Sequence, residues 1–416
     1  MSDARKGLLA ALPLEAVPDG GDLRTRAIGG RPPEAVVEPA SADEVREALL
    51  AVAGMGLTVV PVGGATHTGP QAPDRPFVLL STRRLSAIGD YEPADLTVTL
   101  EAGCSLDTLD RTLRARGQWL PVDPPLAPRR TVGGLVATGT AGTLGMAYGS
   151  PRDHVLGLTA VSGDGRVLRL GGRVMKNVAG FDLVKLMVGS RGTLGVVVSV
   201  SLRLFPVPAT DRVFVIQGAS PGALLAAART VATARVVPAS AALLSPGSPG
   251  GGGATLVVRV QGADDAVAAD ARTLLGDDLS RATVLDGDEA RATLAAMRDH
   301  ASERPLVLRA FGLPALLPDV LAAMNECAPD AEVVVDVMAG RVRAGVANPD
   351  DVHPSDVHRL RSRVEGLGGS VMVERAPPRW VEAVPAYGSG PGDALGAALR
   401  KRFDPQGVLS PGMFQA

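Results

Sequence analysis

The stretch Leu57-Thr-Val-Val-Pro-Val-Gly-Gly-Ala-Thr-His-Thr-Gly69 combines a strand signal with a glycine-rich loop. Its first six residues predict a short buried strand. The glycines that follow let the main chain approach an anion closely, and consecutive N–H groups in such a loop can form an anion-binding nest. A Gly64→Val change is therefore expected to block that approach and to disfavour a positive φ at this position. A glycine loop without a chemical role is the alternative.

A second glycine-rich stretch, Thr131-Val-Gly-Gly-Leu-Val-Ala-Thr-Gly-Thr-Ala-Gly-Thr-Leu-Gly145, offers another surface of backbone amides. It is long enough to line an extended ligand. The sequence contains neither GxGxxG nor GxxxxGK[ST], so a Rossmann dinucleotide site and a P-loop are not supported. Farther on, Gly172-Arg-Val-Met-Lys-Asn-Val-Ala-Gly-Phe-Asp182 places polar groups just before a predicted strand. A solvated Lys176 and a helix cap at Asp182 are the alternatives to ligand binding there.

Composition limits the functional classes. The 416 residues are 46% hydrophobic, which is enough for a large core divided over two or three domains. Aromatic residues are scarce and the net charge is −2, so binding to nucleic acid or to an anionic membrane surface is not expected. Cys104 and Cys327 are the only cysteines, which excludes a disulfide framework and an iron–sulfur cluster bound by this chain alone.

The order of elements indicates two parts with a boundary near residue 208, after Pro206 and Pro208. The first part has a helix that opens at the capping box Ser41-Ala-Asp-Glu44. The second part alternates predicted strands with predicted helices, which allows either a parallel sheet or a ferredoxin-like α+β sheet. Its predicted strands are 212–217, 254–261, 304–310 and 332–338, and its predicted helices are 222–235, 263–276, 314–327 and 354–366. The two long uncharged segments, 48–73 and 131–151, are interrupted by glycines, and residues 1–20 do not resemble a secretory signal. We therefore expect a soluble protein with no transmembrane segment.

Two patterns that suggest other chemistry have simpler explanations. Gly218-Ala-Ser-Pro-Gly222 matches the nucleophile elbow of hydrolases, but Pro221 has no N–H to donate to an oxyanion. Ser220 as a helix N-cap followed by Pro221 explains the match. His353 and His358 are five residues apart, which does not place them on one helix face as metal ligands. A helix start at Pro354 explains that segment better.

Taken together, the segments resemble the FAD-binding domain of the vanillyl-alcohol-oxidase type of flavoproteins, also called the PCMH type. Coverage is most of the first half and the final segment, and six motifs in the same order make the resemblance specific. The matching stretches are Val59-Val-Pro-Val-Gly-Gly-Ala-Thr66, Val122-Asp-Pro124 with Thr131-Val-Gly-Gly-Leu-Val-Ala137, Tyr148-Gly-Ser-Pro-Arg-Asp-His-Val-Leu-Gly157, Lys176-Asn-Val-Ala-Gly-Phe-Asp182, residues 189–197, and residues 403–412.

The resemblance implies an α+β protein with four parts. These are an N-terminal segment (1–26), a two-subdomain FAD-binding PCMH-type domain (27–208), an α+β cap or substrate domain with an antiparallel sheet (209–390), and a C-terminal segment that packs on the FAD domain (391–416).

The resemblance also implies how FAD is held. Backbone amides of Gly63, Gly64, Ala65 and Thr66 would cradle the pyrophosphate. Gly133, Gly134, Ala137 and Thr138 would run beside the ribityl chain and isoalloxazine ring, with Val155 and Val196 near the adenine end or the ring edge. The other expected cofactor-binding positions are Pro61, His67, Pro124, Thr131, Asp153 and Gly195. In relatives with covalent flavin the histidine directly follows the Gly-Gly pair, where this chain has Ala65, so we expect non-covalent FAD.

Within this family, the run from Gly172 is most similar to the E subunit of bacterial glycolate oxidase, which works with a similar D subunit and an iron–sulfur F subunit. The histidine- and glycine-rich metal and substrate motif of the dehydrogenase subunits is absent. We therefore expect an FAD-dependent oxidoreductase acting on CH–OH groups, as one subunit of a glycolate-oxidase-like 2-hydroxyacid dehydrogenase.

In that complex the partners are a D-type flavoprotein and an iron–sulfur subunit. We expect a cytoplasmic location, with attachment to the periphery of the inner membrane only through the complex. Lys176 and Asn177 are the candidates for catalytic contacts near the flavin. Two alternatives stay open, a self-sufficient FAD oxidase or dehydrogenase acting on another alcohol or hydroxyacid, and a structural subunit that has lost flavin.

Overall fold

The fold is described from a computed structural model of the full chain. The structure describes residues 2–19, 21–172, 182–218, 221–245, 253–380, 382–388, 390 and 392–413. The predicted contacts Lys176 and Asn177 lie outside these described residues, as does the predicted N-cap Ser220.

The bounds of the regular elements follow in chain order. The helices are α1 (Asp3–Ala11), α2 (Ala42–Gly54), α3 (Leu106–Arg114), α4 (Val132–Thr138), α5 (Gly145–Tyr148), α6 (Pro151–His154), α7 (Leu183–Met187), α8 (Pro221–Thr233), α9 (Asp264–Leu275), α10 (Gly287–Asp299), α11 (Leu317–Cys327), α12 (Pro354–Gly366) and α13 (Asp393–Phe403). The strands are β1 (Ala35–Val37), β2 (Thr58–Val62), β3 (Phe77–Ser81), β4 (Ile88–Glu92), β5 (Thr97–Glu101), β6 (Gln118–Trp119), β7 (Val155–Val161), β8 (Val167–Gly171), β9 (Val196–Arg203), β10 (Phe205–Pro206), β11 (Thr210–Gly218), β12 (Ser240–Leu244), β13 (Ala254–Gly262), β14 (Thr283–Leu285), β15 (Leu306–Phe311), β16 (Glu332–Asp336), β17 (Arg341–Val346) and β18 (Ser370–Arg375).

The first half of the chain builds two main sheets around separate cores. A three-stranded parallel sheet has the order β1-β3-β2, and a five-stranded antiparallel sheet has the order β4-β5-β9-β7-β8. The predicted capping box opens α2, because the Ser41 hydroxyl accepts from the Glu44 amide and the Glu44 carboxylate accepts from the Ala40 amide. The apolar face of α2 then packs on the parallel sheet.

The second half builds one eight-stranded sheet in the order β14-β11-β13-β12-β16-β17-β15-β18. Every ladder in it is antiparallel, which decides between the two sheets that the residues alone allowed. One face carries the largest apolar core, which α8, α9, α11 and α12 cover. The α+β fold class with an antiparallel cap sheet is confirmed. The sequence patterns missed β12, β14, β17, β18 and α10.

A late segment of the chain returns to the parallel sheet. Leu409 forms a parallel bridge with Val59 in β2, and the Ser410 amide donates to the Val59 carbonyl at 2.9 Å. The buried Asp404 carboxylate holds this turn by accepting from the amides of Val408 (2.9 Å) and Leu409 (2.7 Å). The expected return of the C-terminal segment to the first domain is confirmed. The exact domain boundaries remain a proposal.

Two of the competing patterns lie at helix starts in the described residues. Helix α8 begins at Pro221, and α12 begins at Pro354 with His353 as its N-cap. Asp182 caps α7 by accepting from the Lys185 amide, which is the structural alternative considered above. Across the described ranges no group of three His, Cys, Asp or Glu side chains is arranged to hold a metal ion. In the same ranges we find no helix whose length and apolar character suit a membrane span.

Candidate functional site

A groove runs between the loop that follows β2 and the start of α4. Residues 60–68 form one wall, and residues from α4 with Arg191 and Ser410 complete it. A second stretch of the groove continues toward β9, and the two stretches share Pro61, Gly63, Ala137 and Arg191. The predicted cofactor-binding positions that line this groove are Pro61, Gly63, Gly64, Ala65, Thr66, His67, Thr131, Gly133, Gly134, Ala137, Thr138, Gly195 and Val196.

Three other predicted positions make different contacts. Asp153 completes a capping box with Ser150, whose amide and hydroxyl both donate to its carboxylate at 2.8 Å. These hydrogen bonds, led by the one from the Ser150 amide, lower the pKa of Asp153. Val155 is buried as the first residue of β7, and Pro124 is buried beside Asp123. None of the three lines the groove, and their proposed FAD contacts remain predictions.

The glycines of the first loop are required by packing within the chain. A Cβ atom on Gly64 would lie 1.7 Å from the Arg129 carbonyl oxygen, and one on Gly63 would lie 2.1 Å from the Thr131 hydroxyl. Gly64 has no positive φ that a valine would disfavour, because the left-handed residue of the loop is Ala65, with φ +53°. The sequence could not show this, since the two segments that meet here are far apart along the chain.

The loop also fits a phosphate-containing cofactor. In the described part of the chain, nothing accepts a hydrogen bond from the amides of Gly64, Ala65 or Thr66. A left-handed residue within such a run of amides gives the concave arrangement that binds anions. Small side chains along α4 leave the opposite wall open to an extended ligand. The residues present therefore fit a bound dinucleotide.

His67 closes one end of the groove and is fixed on both sides. Arg130 can only donate, so its Nη2, 3.2 Å away, assigns His67 Nδ1 as an acceptor. His67 Nε2 then carries the hydrogen and lies 3.4 Å from Glu374 Oε1. Burial lowers the pKa of His67, and the charges of Arg130 and Arg309 add to this, which outweighs the opposite effect of Glu374. His67 is therefore neutral at physiological pH.

Beyond His67 lies a buried arginine cluster, which we define as Arg130, Arg309 and Arg343 around the Glu374 carboxylate. Glu374 Oε1 is 2.9 Å from Arg309, and its Oε2 is 3.0 Å from Arg343 Nε. Burial alone would raise the pKa of Glu374, but Arg309, Arg343 and His67 hold it well below its usual range. Burial lowers the pKa values of Arg130 and Arg309 to about 10, so both remain cations at neutral pH. The cluster keeps an excess of positive charge.

The eight-stranded sheet positions this cluster. Arg309 in β15 pairs directly with Arg343 in β17, and Met372 of β18 lies on the other side of Arg309. The β15–β18 ladder shifts register between Val307 and Leu308, which leaves Glu374 in a β-bulge. Bulges of this kind re-aim side chains at functional sites. Alternate residues of β17, such as Val342 and Ala344, enter the apolar core, so the arginines occupy the opposite face.

Arg191 connects the arginine cluster to the groove. It lines both stretches of the groove, and its guanidinium stacks on the Tyr387 ring at 5.2 Å. Its Nη2 also lies 3.6 Å from the Met372 sulfur. Sequence reasoning missed Arg130, Arg191, Arg309, Arg343 and Glu374 as site residues. The alternation of Arg with Val and Ala in β17 was the available signal, but it does not say which surface the arginines face.

Comparisons with known proteins support the binding of FAD by this chain. Residues 33–171 match the family model described as FAD binding domain. The chain is 26% identical to glycolate oxidase subunit GlcD of Bacillus subtilis (strain 168) over 91% of this chain and 88% of that protein. It is 45% identical to glycolate oxidase subunit GlcE of Escherichia coli (strain K12) over 31% of this chain and 37% of that protein.

The fold comparison extends over the whole chain. A crystal structure of p-cresol methylhydroxylase with substrate bound superposes with a TM-score of 0.77, at 15% identity, over 99% of this chain and 96% of the other. The groove and the matched FAD binding domain define an FAD-binding flavoprotein, and its fold is similar to that of p-cresol methylhydroxylase. FAD is its cofactor, and the chain is an FAD-dependent oxidoreductase. The sequence-based expectations of an FAD cofactor and of an FAD-dependent oxidoreductase are both confirmed.

Proposed function

We propose that this chain is the FAD-binding subunit of a glycolate-oxidase-like 2-hydroxyacid dehydrogenase. The observation that carries the proposal is the buried arginine cluster at the end of the FAD groove, which suits an anionic substrate. Similarity to the glycolate oxidase subunits GlcD and GlcE supports the substrate class. Oxidation at a CH–OH group is the shared chemistry of such enzymes, and it is the class of reaction expected from the sequence.

The residues of the groove have distinct roles in this proposal. Amides of Gly64, Ala65 and Thr66 hold the pyrophosphate, and the small residues of α4 flank the ribityl chain and the ring. Gly195 and Val196 extend the groove toward β9. When bound, FAD supplies the acceptor for the hydride and passes the electrons on. Lys176 and Asn177 remain candidate contacts near the ring.

The arginine cluster binds the substrate carboxylate. Arg309 Nε is buried and has no hydrogen-bond partner in the described part of the chain, so it can donate to a carboxylate oxygen. Glu374 orients Arg309 and Arg343 and prevents the two cations from separating. The site excludes bulk water, which strengthens these charge interactions. The arginine cluster faces the groove on the side where Arg191 lies.

In this proposal, His67 holds the side chains of Arg130 and Glu374 in position. Both ring nitrogens face protein groups, Arg130 on one side and Glu374 on the other. A histidine held in this way is not presented for a covalent bond to flavin, which supports non-covalent FAD. Its low pKa keeps it neutral and avoids adding a further cation to the arginine cluster.

Electrons must leave the chain through partners in this proposal. Cys104 and Cys327 are both buried, and burial raises the pKa of Cys327 to about 12, so neither suits cluster ligation. We propose a D-type flavoprotein subunit and an iron–sulfur subunit as partners, in the cytoplasm. A second candidate function, a self-sufficient FAD oxidase or dehydrogenase, is favoured by one observation, since the arginine cluster is complete within this chain.

The test compares the chain alone with the chain co-expressed with D-like and iron–sulfur subunits. Anaerobic flavin bleaching and dye reduction are followed with glycolate and D-lactate. We expect slow dye reduction by the chain alone and a rate at least a hundredfold higher in the complex. Arg309→Met should keep FAD and lose most of the reduction by either acid, because a carboxylate anchor is removed.

Arg229→Met is the control, since Arg229 is exposed on α8. Brisk turnover by the lone chain would replace the subunit proposal with the self-sufficient enzyme. Normal substrate oxidation by Arg309→Met would show that the arginine cluster does not bind the substrate.

A further inference from the structure

A small second cavity lies behind the arginine cluster. It occupies about 30 Å³, which is room for one or two water molecules. Its walls include Asp123, Arg298, Asp336, Arg341 and Arg343. Arg343 therefore faces this cavity while its Nε contacts Glu374. The cavity is a separate space from the FAD groove, and Arg343 is the side chain that links it to the proposed carboxylate site.

Arg130 connects the same two spaces from the other side. Its Nε donates to the carbonyl of Pro125, which lines the small cavity, at 2.7 Å. Its Nη2 contacts His67 in the groove. Since Arg130 is only 2% exposed, its position is fixed by these contacts. The small cavity is therefore held close to the proposed substrate site by two buried arginines.

Asp336 is the unsatisfied group of this cavity. It ends β16 and is only 4% exposed. Its Oδ1 accepts from the Ala339 amide at 3.1 Å, whereas its buried Oδ2 has no hydrogen-bond partner among the described residues. Asp123 differs, because its two oxygens accept from the Thr143 hydroxyl at 2.5 Å and the Leu144 amide at 2.9 Å. Of the two carboxylates that line this cavity, Asp336 is the one with an oxygen that makes no hydrogen bond within the described residues.

Charged side chains on several elements of the fold line the cavity around Asp336. Arg341 and Arg343 face it from β17 and Arg298 from α10, while Asp123 faces it from the first half of the chain. Burial raises the pKa of Asp336 to about 6, with a further rise from Asp123. Arg341 and the amides of Ala339 and Met338 oppose this rise. Near neutral pH the carboxylate is thus ionised and close to its titration point, as an effective proton acceptor requires.

We propose that Asp336 accepts the proton of the substrate hydroxyl group through one water of the small cavity. This inference rests on the proposed oxidation of a 2-hydroxyacid. On oxidation, the C–H bond would break with its hydrogen and both electrons going to bound FAD. The O–H bond would break with its proton passing through the water to Asp336 Oδ2, and the C–O bond would become a carbonyl. The proton then leaves Asp336 to solvent before the next turnover.

Two measurements test the proposal, with Asp336→Asn as the variant. The rate of flavin reduction by glycolate should rise in the wild type as the pH increases through about 6. The variant should reduce flavin at least a hundredfold more slowly and without that rise, because its amide cannot take the proton. Asp330→Asn is the control, since Asp330 is exposed shortly before β16, and it should behave as the wild type.

The second measurement does not depend on turnover. Oxalate binding is followed by calorimetry at pH 6.5 in two buffers with different ionisation enthalpies, which gives the number of protons taken up. An anion bound beside Asp336 raises the pKa of its carboxylate, so the wild type should take up protons and Asp336→Asn should take up fewer. Equal uptake, or an unchanged pH profile in the variant, would overturn the assignment of Asp336.

The same data separate this proposal from the proposed function. If the wild type binds no oxalate and no 2-hydroxyacid reduces its flavin, the substrate class is wrong, and the role of Asp336 is rejected with it. If the wild type binds oxalate and is reduced, but Asp336→Asn matches it, only the proton acceptor is wrong. Flavin content and thermal unfolding of the variant establish that it is folded.

Discussion

At the scale of single residues, the first loop shows how one position can be constrained for a reason different from the expected one. Gly63 and Gly64 are small because the 129–131 segment packs against them. The left-handed conformation falls on Ala65, which costs an alanine about 1–2 kcal/mol relative to a right-handed conformation. The loop therefore keeps its shape through packing, and the amides that face the cofactor are pre-positioned by it.

Gly64→Val should destroy FAD retention for this reason. Its side chain would have to displace the Arg129 carbonyl, which belongs to the backbone and cannot rotate away. We expect the purified variant to lose its yellow colour and to unfold at a lower temperature than the wild type. Gly54→Val is the control, because no atom lies within 4 Å of a Cβ atom at Gly54. A folded Gly64→Val variant with normal flavin content would contradict this packing explanation.

At the scale of elements, strands β15, β17 and β18 place the charged groups of the site on one face of the sheet. Their alternate residues enter the apolar core, so Arg309 and Arg343 face the other side in register. The bulge at Glu374 inserts a carboxylate that both arginines share. The stability of this arrangement depends on the carboxylate, because an unpaired buried charge is costly.

Glu374→Gln should therefore destabilise the fold strongly. Removing one partner from a buried ion pair typically costs about 3–5 kcal/mol, whereas removing one from an exposed pair costs about 0–1 kcal/mol. Glu303→Gln is the matched control, because Glu303 pairs with Arg129 and both side chains are more than half exposed. Denaturant unfolding of both variants measures the difference. Similar unfolding midpoints would show that Glu374 is not a structural centre of the arginine cluster.

The elements also show what sequence patterns can and cannot predict. The strand at Thr58–Val62 and the helix opened by Ser41 were predictable, because apolar periodicity and capping are local signals. Strand β17 was missed, since Gly340 and Gly345 near its ends resemble loop residues. The contact between His67 and Glu374 could not be predicted from the sequence, because it depends on the register of three strands in the second half of the chain. A family resemblance located the FAD groove, whereas the arginine cluster required the tertiary structure.

At the scale of the whole molecule, buried titratable groups make stability depend on pH. Burial lowers the pKa values of His67, His154 and His300 below that of an exposed histidine. Below about pH 6.5 the unfolded chain therefore binds more protons than the folded chain, and stability falls as the pH decreases. Asp123 and Asp336 act in the opposite direction, because burial raises their pKa values and the folded chain keeps protons on them that the unfolded chain has released.

The three lowered histidine pKa values outweigh the two raised aspartate pKa values, so the protein should be less stable at pH 5.5 than at pH 7.5, by about 1 kcal/mol. Urea unfolding at the two pH values measures the difference. His154→Phe should reduce it, since His154 is buried against the edge of Phe205 and a second aromatic ring can occupy that place. His358→Gln, at an exposed position on α12, should leave it unchanged. Greater stability in acid would contradict the assigned directions.

The return of residues 404–410 to β2 has a consequence for the order of events during synthesis. Leu409 pairs with Val59 next to the FAD loop, and Ser410 lines the groove itself. A ribosome releases the glycine loops long before it releases this segment, so the nascent FAD domain lacks one wall until translation is almost finished. Cofactor loading is thereby tied to the completed polypeptide. A prematurely terminated chain would leave the ribosome without a finished flavin site, even though the whole matched FAD binding domain had been made.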